Sequence, residues 1–393
     1  MTVSARTFAV VSAGFCAFLA LFAPQPLLPM LAAQFAASAA AVSLLITAPT
    51  LAVAIAAPFT GAIADRFGRK HVIVPAALLL AVPTILAGVS KTLGQLLFWR
   101  FLQGLLTPGI FAVTIAYITE EWEQGAGAAM SAYVTGTVLG GFCGRMIAGI
   151  VAGLASWRWA FFVLGALTAI GGAAIWLWLP PGQGAHPSHH RAPLWRSMGR
   201  HLRNRRLLSA YAVGFCVLFT LLGAFTYVNF YLAAPPFSLN ATALGLLFVV
   251  YLVGAAITPV AGRWIDRLGH RVSLVAAFSA GIAGMSLALF PRLSAVAIGL
   301  ALCCTSTFIS HATASAYVGA VAKEARAAAV GLYVMFYYLG GTLGSALPGR
   351  FWSRGGWPAC VALIVAAQVV TIAVALAFWQ APETAFPPTS ATR

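Results

Sequence analysis

The most unusual chemical group in the sequence is Arg145, which stands between glycines in the apolar run LGGFCGRMIAG at residues 139–149. A guanidinium is permanently charged, and its planar fork of donors suits a carboxylate or a carbonyl oxygen. An arginine deep in a membrane helix costs about 2.5–3.5 kcal/mol on insertion scales, so a neighbouring group must offset that cost. Three roles are open: binding a substrate, snorkelling to the outer surface, or pinning helices together.

A second candidate is His311, in the small polar run TSTFISHATAS at residues 305–315. An imidazole titrates near neutral pH, as a proton carrier requires, although packing is the alternative role for a histidine in an apolar run. The acids offer no substitute, because all seven fall at the edges of apolar runs or in the C-terminal tail: Asp65, Glu120, Glu121, Glu123, Asp266, Glu324 and Glu383. The shortage of buried carboxylates disfavours cationic substrates.

The elements that must position these residues are membrane helices. Of 393 residues, 61% are hydrophobic and only 8% are charged, whereas soluble proteins carry about 25% charged residues. Apolar stretches of about 20 residues suffice for a helix to cross the bilayer, where every backbone group must be hydrogen-bonded internally. The sequence therefore predicts an all-α membrane protein with twelve spans, near 8–31, 43–64, 71–90, 93–119, 127–153, 159–180, 208–234, 242–262, 272–291, 294–319, 327–349 and 357–380.

The net charge of +16 follows this topology. Most lysines and arginines fall on the side of the N-terminus, which predicts a bacterial inner-membrane protein with both termini in the cytoplasm. A nucleic-acid partner is not expected, because no soluble basic domain is present. The six cysteines show no CxxC spacing, so we expect neither a disulfide framework nor a metal or other cofactor.

The chain is built from two similar halves. GAIADRFGRK at 61–70 is echoed by GRWIDRLGHR at 262–271, and YVTGTVLGGFCGRMIAG at 133–149 by YVMFYYLGGTLGSALPG at 333–349. We predict six-helix bundles over 1–180 and 208–393, a linker over 181–207, and a site at mid-membrane between the bundles. In the second alignment Arg145 stands opposite Ser345, while the helix-packing glycines are shared: Gly140, Gly144, Gly149, Gly340, Gly344 and Gly349.

These residues resemble the major facilitator superfamily, and more narrowly its bacterial drug:proton antiporter branch. The first repeated motif matches the superfamily loop between spans two and three, and RFLQG at 100–104 is similar to the branch's span-four motif. Span five departs from the branch, because Arg145 stands where its glycine pattern has a proline. The resemblance implies a conformational latch at Gly61, Asp65, Arg66, Gly68, Arg69, Lys70, Glu120, Glu123, Gly262, Asp266, Arg267, Gly269, Arg271 and Glu324.

The resemblance also implies that spans one, four, seven and ten line a central cavity. Candidate substrate-binding residues are then Arg145, Arg100, Gln103, Gln25, Tyr227, Asn229 and His311. We predict a monomeric secondary transporter that moves a small amphipathic or anionic molecule by alternating access, with proton-coupled efflux; the alternative is an importer or facilitator of an organic anion anchored by Arg145. A membrane enzyme is disfavoured because HExxH and paired intramembrane acids are absent, and ATP use because GxxxxGK(S/T) is absent.

Overall fold

The computed structural model describes residues 3–122, 125–180 and 194–379. Within these residues the regular structure is helical, and eleven helices are long and apolar enough to cross a membrane. A shorter apolar helix, Ala5–Leu19, precedes them. The architecture is an all-α, multi-pass bundle, as the sequence predicts.

The helices follow the predicted order. Spans one to six are Val3–Leu19 with Gln25–Leu27 and Leu28–Gln34, then Ala39–Phe67, Arg69–Gly88, Leu93–Glu121, Ala126–Leu154 and Trp157–Trp178. A short helix, Leu194–Leu202, precedes span seven. Spans seven to twelve are Arg205–Ala233, Ala241–Leu247 continuing into Val250–Leu287 (spans eight and nine), Leu293–Val321, Arg326–Ala346 and Pro348–Phe378.

Span one is broken, where the sequence predicted a single helix over 8–31. Its first helix ends at Leu19, and a short 3-10 segment starts at Gln25 between Pro24 and Pro26. Proline lacks an N–H and clashes with the preceding helical turn, so two prolines this close together favour a break in the helix. The break buries Gln25 and leaves the carbonyls that follow Leu19 in need of other donors.

The two copies of the repeated loop make the same turn. Gly68 has φ +89° and Gly269 has φ +79°, a region that glycine adopts without steric penalty. At Gly269 the chain turns sharply enough to separate spans eight and nine within the helical stretch Val250–Leu287. A second bend at Gly355 and Gly356 divides Pro348–Phe378, so span twelve proper begins after it.

The span-five and span-eleven glycines pack in the same way in the two halves. A methyl group added at Gly140 or Gly144 would overlap a carbonyl oxygen of span one. The same addition at Gly340 or Gly344 would overlap a carbonyl oxygen of span seven. The backbone atoms approached are equivalent in the repeat: Phe15 and Leu19 in the first half, Phe215 and Phe219 in the second.

Two contact lines join the halves. In the five–eight seam, Gly149 of span five packs on Ala241 and Gly245 of span eight. In the two–eleven seam, Gly349 packs on Ala40. Two hydroxyl pairs extend the second seam. The Thr47 and Ser345 hydroxyl oxygens are 2.9 Å apart, and those of Thr50 and Thr342 are 3.2 Å apart. Both seams lie toward one end of the helices, which we call the far face; the opposite end, with the 66–70 loop and helix Leu194–Leu202, is the linker face.

The predicted linker over 181–207 is described only from residue 194 onward. Its last residues already belong to span seven, because Asn204 starts that helix by accepting hydrogen bonds from the N–H groups of Arg206 and Leu207. Helix Leu194–Leu202 packs on the second half, with His201 buried near the Ala325 carbonyl. The part of the linker that the structure describes is therefore docked on that half.

We expect Gly144→Val to destabilise the protein strongly. The Leu19 carbonyl leaves no room for a side chain, and overpacking a close-packed site costs about 1–3 kcal/mol or more. Thermal unfolding in detergent should show a melting temperature lower by several degrees. Gly127→Val is the matched control on the same helix, because a Cβ there meets no atom within 4 Å. Equal melting temperatures for the two variants would contradict the packing interpretation.

Candidate substrate site at the seam between the halves

Arg145 lies inside the protein at the five–eight seam. It is 2% exposed, which excludes snorkelling to the surface. Its Nε donates to Gln25 Oε1 at 2.7 Å, and Nη1 donates to the Gly141 carbonyl, one turn back, at 2.6 Å. Gln25 in turn donates through Nε2 to Thr226 Oγ1 at 3.3 Å. The arginine is thus linked through span one to span seven in the other half.

Three aromatic rings surround the guanidinium. Its central carbon lies 5.0 Å from the ring centre of Phe22, 4.9 Å from that of Phe248 and 4.6 Å from that of Tyr251. Phe22 belongs to span one, whereas Phe248 and Tyr251 follow the start of span eight. Ring faces attract a desolvated cation by about 2 kcal/mol or more. The rings therefore offset part of the cost of burying the charge, from both halves at once.

Arg145 forms no ion pair with any carboxylate in the described part of the chain. The ion pairs found there involve Asp65, Glu120 and Glu324, all on the linker face. Neutral dipoles and aromatic faces stabilise a cation less completely than an anion does, so a buried unpaired charge remains costly. Among the described residues, Arg145 is therefore a buried cation without a counterion.

Arg100 occupies a different and fully internal position. It is 0% exposed, and its donors reach the Leu45 carbonyl at 3.0 Å, the Ala20 carbonyl at 2.9 Å and, at shorter range, the Leu21 carbonyl. Ala20 and Leu21 follow the broken end of the first helix, where carbonyls lack intrahelical partners and a cation is favourable. Arg100 thus stabilises the break in span one.

Gln103 belongs to the network of Arg100. Its Oε1 accepts from Arg100, and its Nε2 donates to Thr84 Oγ1 at 2.8 Å. Both residues are 0% exposed. At least four of the five N–H donors of Arg100 are occupied by protein acceptors. This geometry favours helix packing over substrate binding for the pair.

Tyr227 and Asn229 are also fully buried, on span seven. The Tyr227 hydroxyl donates to the Ser345 carbonyl at 3.0 Å beside the two–eleven seam. Asn229 donates to the Phe225 carbonyl at 2.6 Å, and its Oδ1 accepts no hydrogen bond from a described residue. Of the predicted binding residues, Gln25 and Arg145 are hydrogen-bonded to each other, whereas Tyr227 and Asn229 donate to backbone carbonyls.

His311 lies in an aromatic group on spans ten and eleven. Its Nδ1 is 3.0 Å from the Tyr333 hydroxyl, and its ring centre is 4.6 Å from that of Tyr337. The side chain is half-buried. The neighbouring Tyr338 stacks on Phe111 of span four at 5.9 Å, a contact between the halves near the middle of both helices. His311 is therefore next to a central contact between the bundles.

The first predicted latch is an ion-pair network at the linker face. Arg69 contacts Asp65 at 2.6 Å and binds both oxygens of Glu120, at 2.8 and 3.0 Å. The network ties the ends of spans two and four to the start of span three. Arg66 instead lies over the Phe67 ring at 5.5 Å, and no ion pair joins Lys70 to another described residue.

In the second half, the described side chains include a different ion pair at the linker face. Glu324, one of the predicted latch residues, pairs with Arg200 of the docked linker helix at 2.8 Å. The helix Leu194–Leu202 has no counterpart among the described residues of the first half, and it places Arg200 beside Glu324. Glu123 lies outside the described residues, as does the side chain of Asp266.

No described helix approaches Gly61 closely. A Cβ at Gly61, or at its counterpart Gly262, meets no atom within 4 Å. Both glycines lie where no neighbouring helix packs on them, so the loop needs glycine for its turn at 68 and 269 only.

Sequence reasoning missed the three aromatic residues around Arg145, which are Phe22, Phe248 and Tyr251. Aligning the two halves would have placed Phe248 and Tyr251 opposite Thr47 and Thr50 of the two–eleven seam.

Comparisons with known proteins identify the family. The sequence profile of the Major Facilitator Superfamily matches residues 10–310 and 233–393. The inner membrane transport protein YnfM of Escherichia coli is 32% identical over 372 residues, 94% of this chain and 89% of its own, and the MFS-type transporter YybF of Bacillus subtilis is 31% identical over 368 residues, 93% and 91%.

A solved structure supports the fold. The crystal structure of the nucleoside transporter NupG superimposes with a TM-score of 0.77 at 16% identity, and the match covers 95% of this chain and all of NupG. These matches identify the superfamily but do not distinguish its branches, so membership of the drug:proton antiporter branch stays a prediction. The chain belongs to the major facilitator superfamily, and it is a multi-pass membrane transporter rather than an enzyme.

Proposed function

We propose that this transporter moves a small anionic or amphipathic molecule across the bacterial inner membrane by alternating access. The observation that carries the proposal is the buried Arg145, which lies at the junction of the two halves without a carboxylate partner in the described chain. A substrate anion would supply the missing charge. Because the guanidinium contacts both halves, binding there would bias how they move against each other.

The described contacts between the halves fit one end state of such a cycle. They run from the glycine contacts of both seams to the Phe111 and Tyr338 pair near mid-helix. We assign the linker face to the cytoplasm, since basic residues accumulate there. The conformation is then closed toward the outside.

We further propose that efflux is coupled to proton movement and that His311 carries the proton. It is the described histidine that lies within a span and beside a contact between the halves, and arginine cannot release a proton at physiological pH. Import or facilitated diffusion of the same anion would use the same site. The direction of flux under an imposed pH gradient separates these modes.

The decisive experiment is reconstitution into liposomes. Flux of matched cationic, neutral and anionic compounds should be measured under imposed pH and voltage gradients. We expect anions to be transported. When the proton concentration is higher on the side of the far face, they should accumulate on that side against their own gradient. Transport of cations in preference to anions would contradict the proposal.

We expect His311→Gln to abolish accumulation driven by the pH gradient while downhill exchange continues. Glutamine can still hydrogen-bond to Tyr333 but does not titrate. Gradient-driven flux and counterflow should be compared in the same liposomes. His71→Gln, an exposed histidine at the linker face, is the control and should behave like the unmodified protein. Undiminished gradient-driven accumulation in His311→Gln would remove the proton-carrier assignment.

A further inference from the structure

The Tyr251 side chain has a hydroxyl group that packing does not explain. The residue is 5% exposed, yet its hydroxyl makes no hydrogen bond with any described residue. Leaving a buried hydroxyl unsatisfied costs about 1–3 kcal/mol. Phenylalanine would provide the same ring without this cost, so the hydroxyl indicates a partner other than the protein.

The unsatisfied donor lies beside the unpaired cation. The ring centre of Tyr251 is 4.6 Å from the guanidinium carbon of Arg145. Gln25 and Gly141 occupy Nε and Nη1 of the arginine. A carboxylate has two acceptor oxygens, and each can accept from a donor at about 2.7–2.9 Å, so one such group suits a guanidinium and a hydroxyl on adjacent side chains.

We propose that Arg145 and Tyr251 together bind the carboxylate of a substrate that has one negative charge and an apolar body. This inference rests on the proposed function and names its substrate class. One carboxylate oxygen accepts from the guanidinium, and the other accepts from the tyrosine hydroxyl. Tyr251 is thus a specificity-determining residue, because its hydroxyl donates to the second oxygen of the acceptor group that Arg145, a donor only, selects.

The charge of the site matches a monoanion. Arg145 contributes one positive charge, and no acid faces it among the described residues. A monocarboxylate neutralises the site, whereas a dianion would bring an uncompensated negative charge into a medium where such charges are costly.

The surroundings of Tyr251 match an apolar body. Its ring lies 4.8 Å from that of Phe225 and 5.7 Å from those of Phe248 and Phe308. Sites for small molecules combine such aromatic walls with a few placed polar groups. The four rings come from spans seven, eight and ten, so a bound ligand would contact the second half through its apolar body and the first half through Arg145.

Equilibrium binding to the purified, full-length protein in detergent tests the proposal without requiring flux. The probes are 4-phenylbutyrate, its neutral amide and phenylphosphonate. We expect the carboxylate to bind best, and Tyr251→Phe to weaken it about tenfold or more, since hydrogen bonds to charged groups contribute about 1.5–3 kcal/mol. Binding of the amide should change little.

Tyr211→Phe is the matched control. Tyr211 is likewise buried with a hydroxyl that bonds to no described residue, but its ring stacks on Phe336 and no described arginine or lysine lies over it. Its substitution should leave carboxylate binding unchanged. Equal affinity of Tyr251→Phe and the unmodified protein for 4-phenylbutyrate would overturn the proposal, as would equal weakening by Tyr211→Phe or tighter binding of phenylphosphonate.

The two proposals fail in distinguishable ways. If liposomes transport anions and Tyr251→Phe transports and binds them normally, the carboxylate pair is wrong while the proposed function stands. If neither binding nor flux of any anion is detected in the unmodified protein, the proposed function itself fails.

Discussion

Arg145→Ala is expected to reduce anion flux by about 30-fold or more, since removing a buried charge partner costs about 2–5 kcal/mol in binding. The variant should nevertheless fold. Loss of the contacts to the three rings is offset by removal of a buried, unpaired charge. Initial transport rates in liposomes should therefore fall, while the melting temperature in detergent should stay close to that of the unmodified protein.

Arg145→Lys serves as the control for charge. Lysine keeps the positive charge but lacks the planar guanidinium, whose several N–H groups can donate to Gln25 and to a carboxylate at the same time. We expect partial flux, between that of the alanine variant and that of the unmodified protein. Full flux in Arg145→Ala would assign the residue to helix packing, and the proposed function would lose its main support.

Arg100→Ala is expected to have the opposite outcome, with loss of folded protein. The substitution strands the carbonyls of Ala20, Leu21 and Leu45, all of which accept from Arg100. Each buried unsatisfied group costs about 1–3 kcal/mol, and together these costs approach the total stability of a typical protein, about 5–15 kcal/mol. Size-exclusion chromatography in detergent should show little monodisperse protein.

Arg158→Ala is the control for Arg100. Arg158 is half-buried at the far face, where it donates to the Ser90 carbonyl at 3.1 Å and lies over the Trp157 ring. Its loss should be tolerated. A stable, monodisperse Arg100→Ala variant that fails to transport would assign Arg100 to the substrate site. A stable variant that transports normally would show that the break in span one needs no arginine.

The fold was predictable because its determinants are local and repeated. Apolar length predicts each span, and the glycines shared by spans five and eleven predict the backbone contacts that the structure shows. The break in span one could have been predicted from Pro24 and Pro26, but the apolar run hides it. The bends at Gly269 and at Gly355 and Gly356 change where helices begin without changing the number of passes.

The candidate site was predictable only in part. Sequence spacing identified Arg145 and Gln25 but did not distinguish Arg145 from Arg100, because both are arginines at similar depth in apolar runs. The distinction depends on the neighbours in space, which are backbone carbonyls for Arg100 and aromatic rings with one glutamine for Arg145. The pairing of Glu324 with Arg200 likewise depends on a docked helix that neither repeat encodes.

The equivalent glycine contacts of the two halves also bear on how a ligand is oriented. A cavity with perfect two-fold symmetry would offer an asymmetric molecule two poses of equal energy. Arg145 on one seam, opposite Ser345 on the other, removes that degeneracy. In the proposed function, this single side chain sets which end of the substrate faces which half.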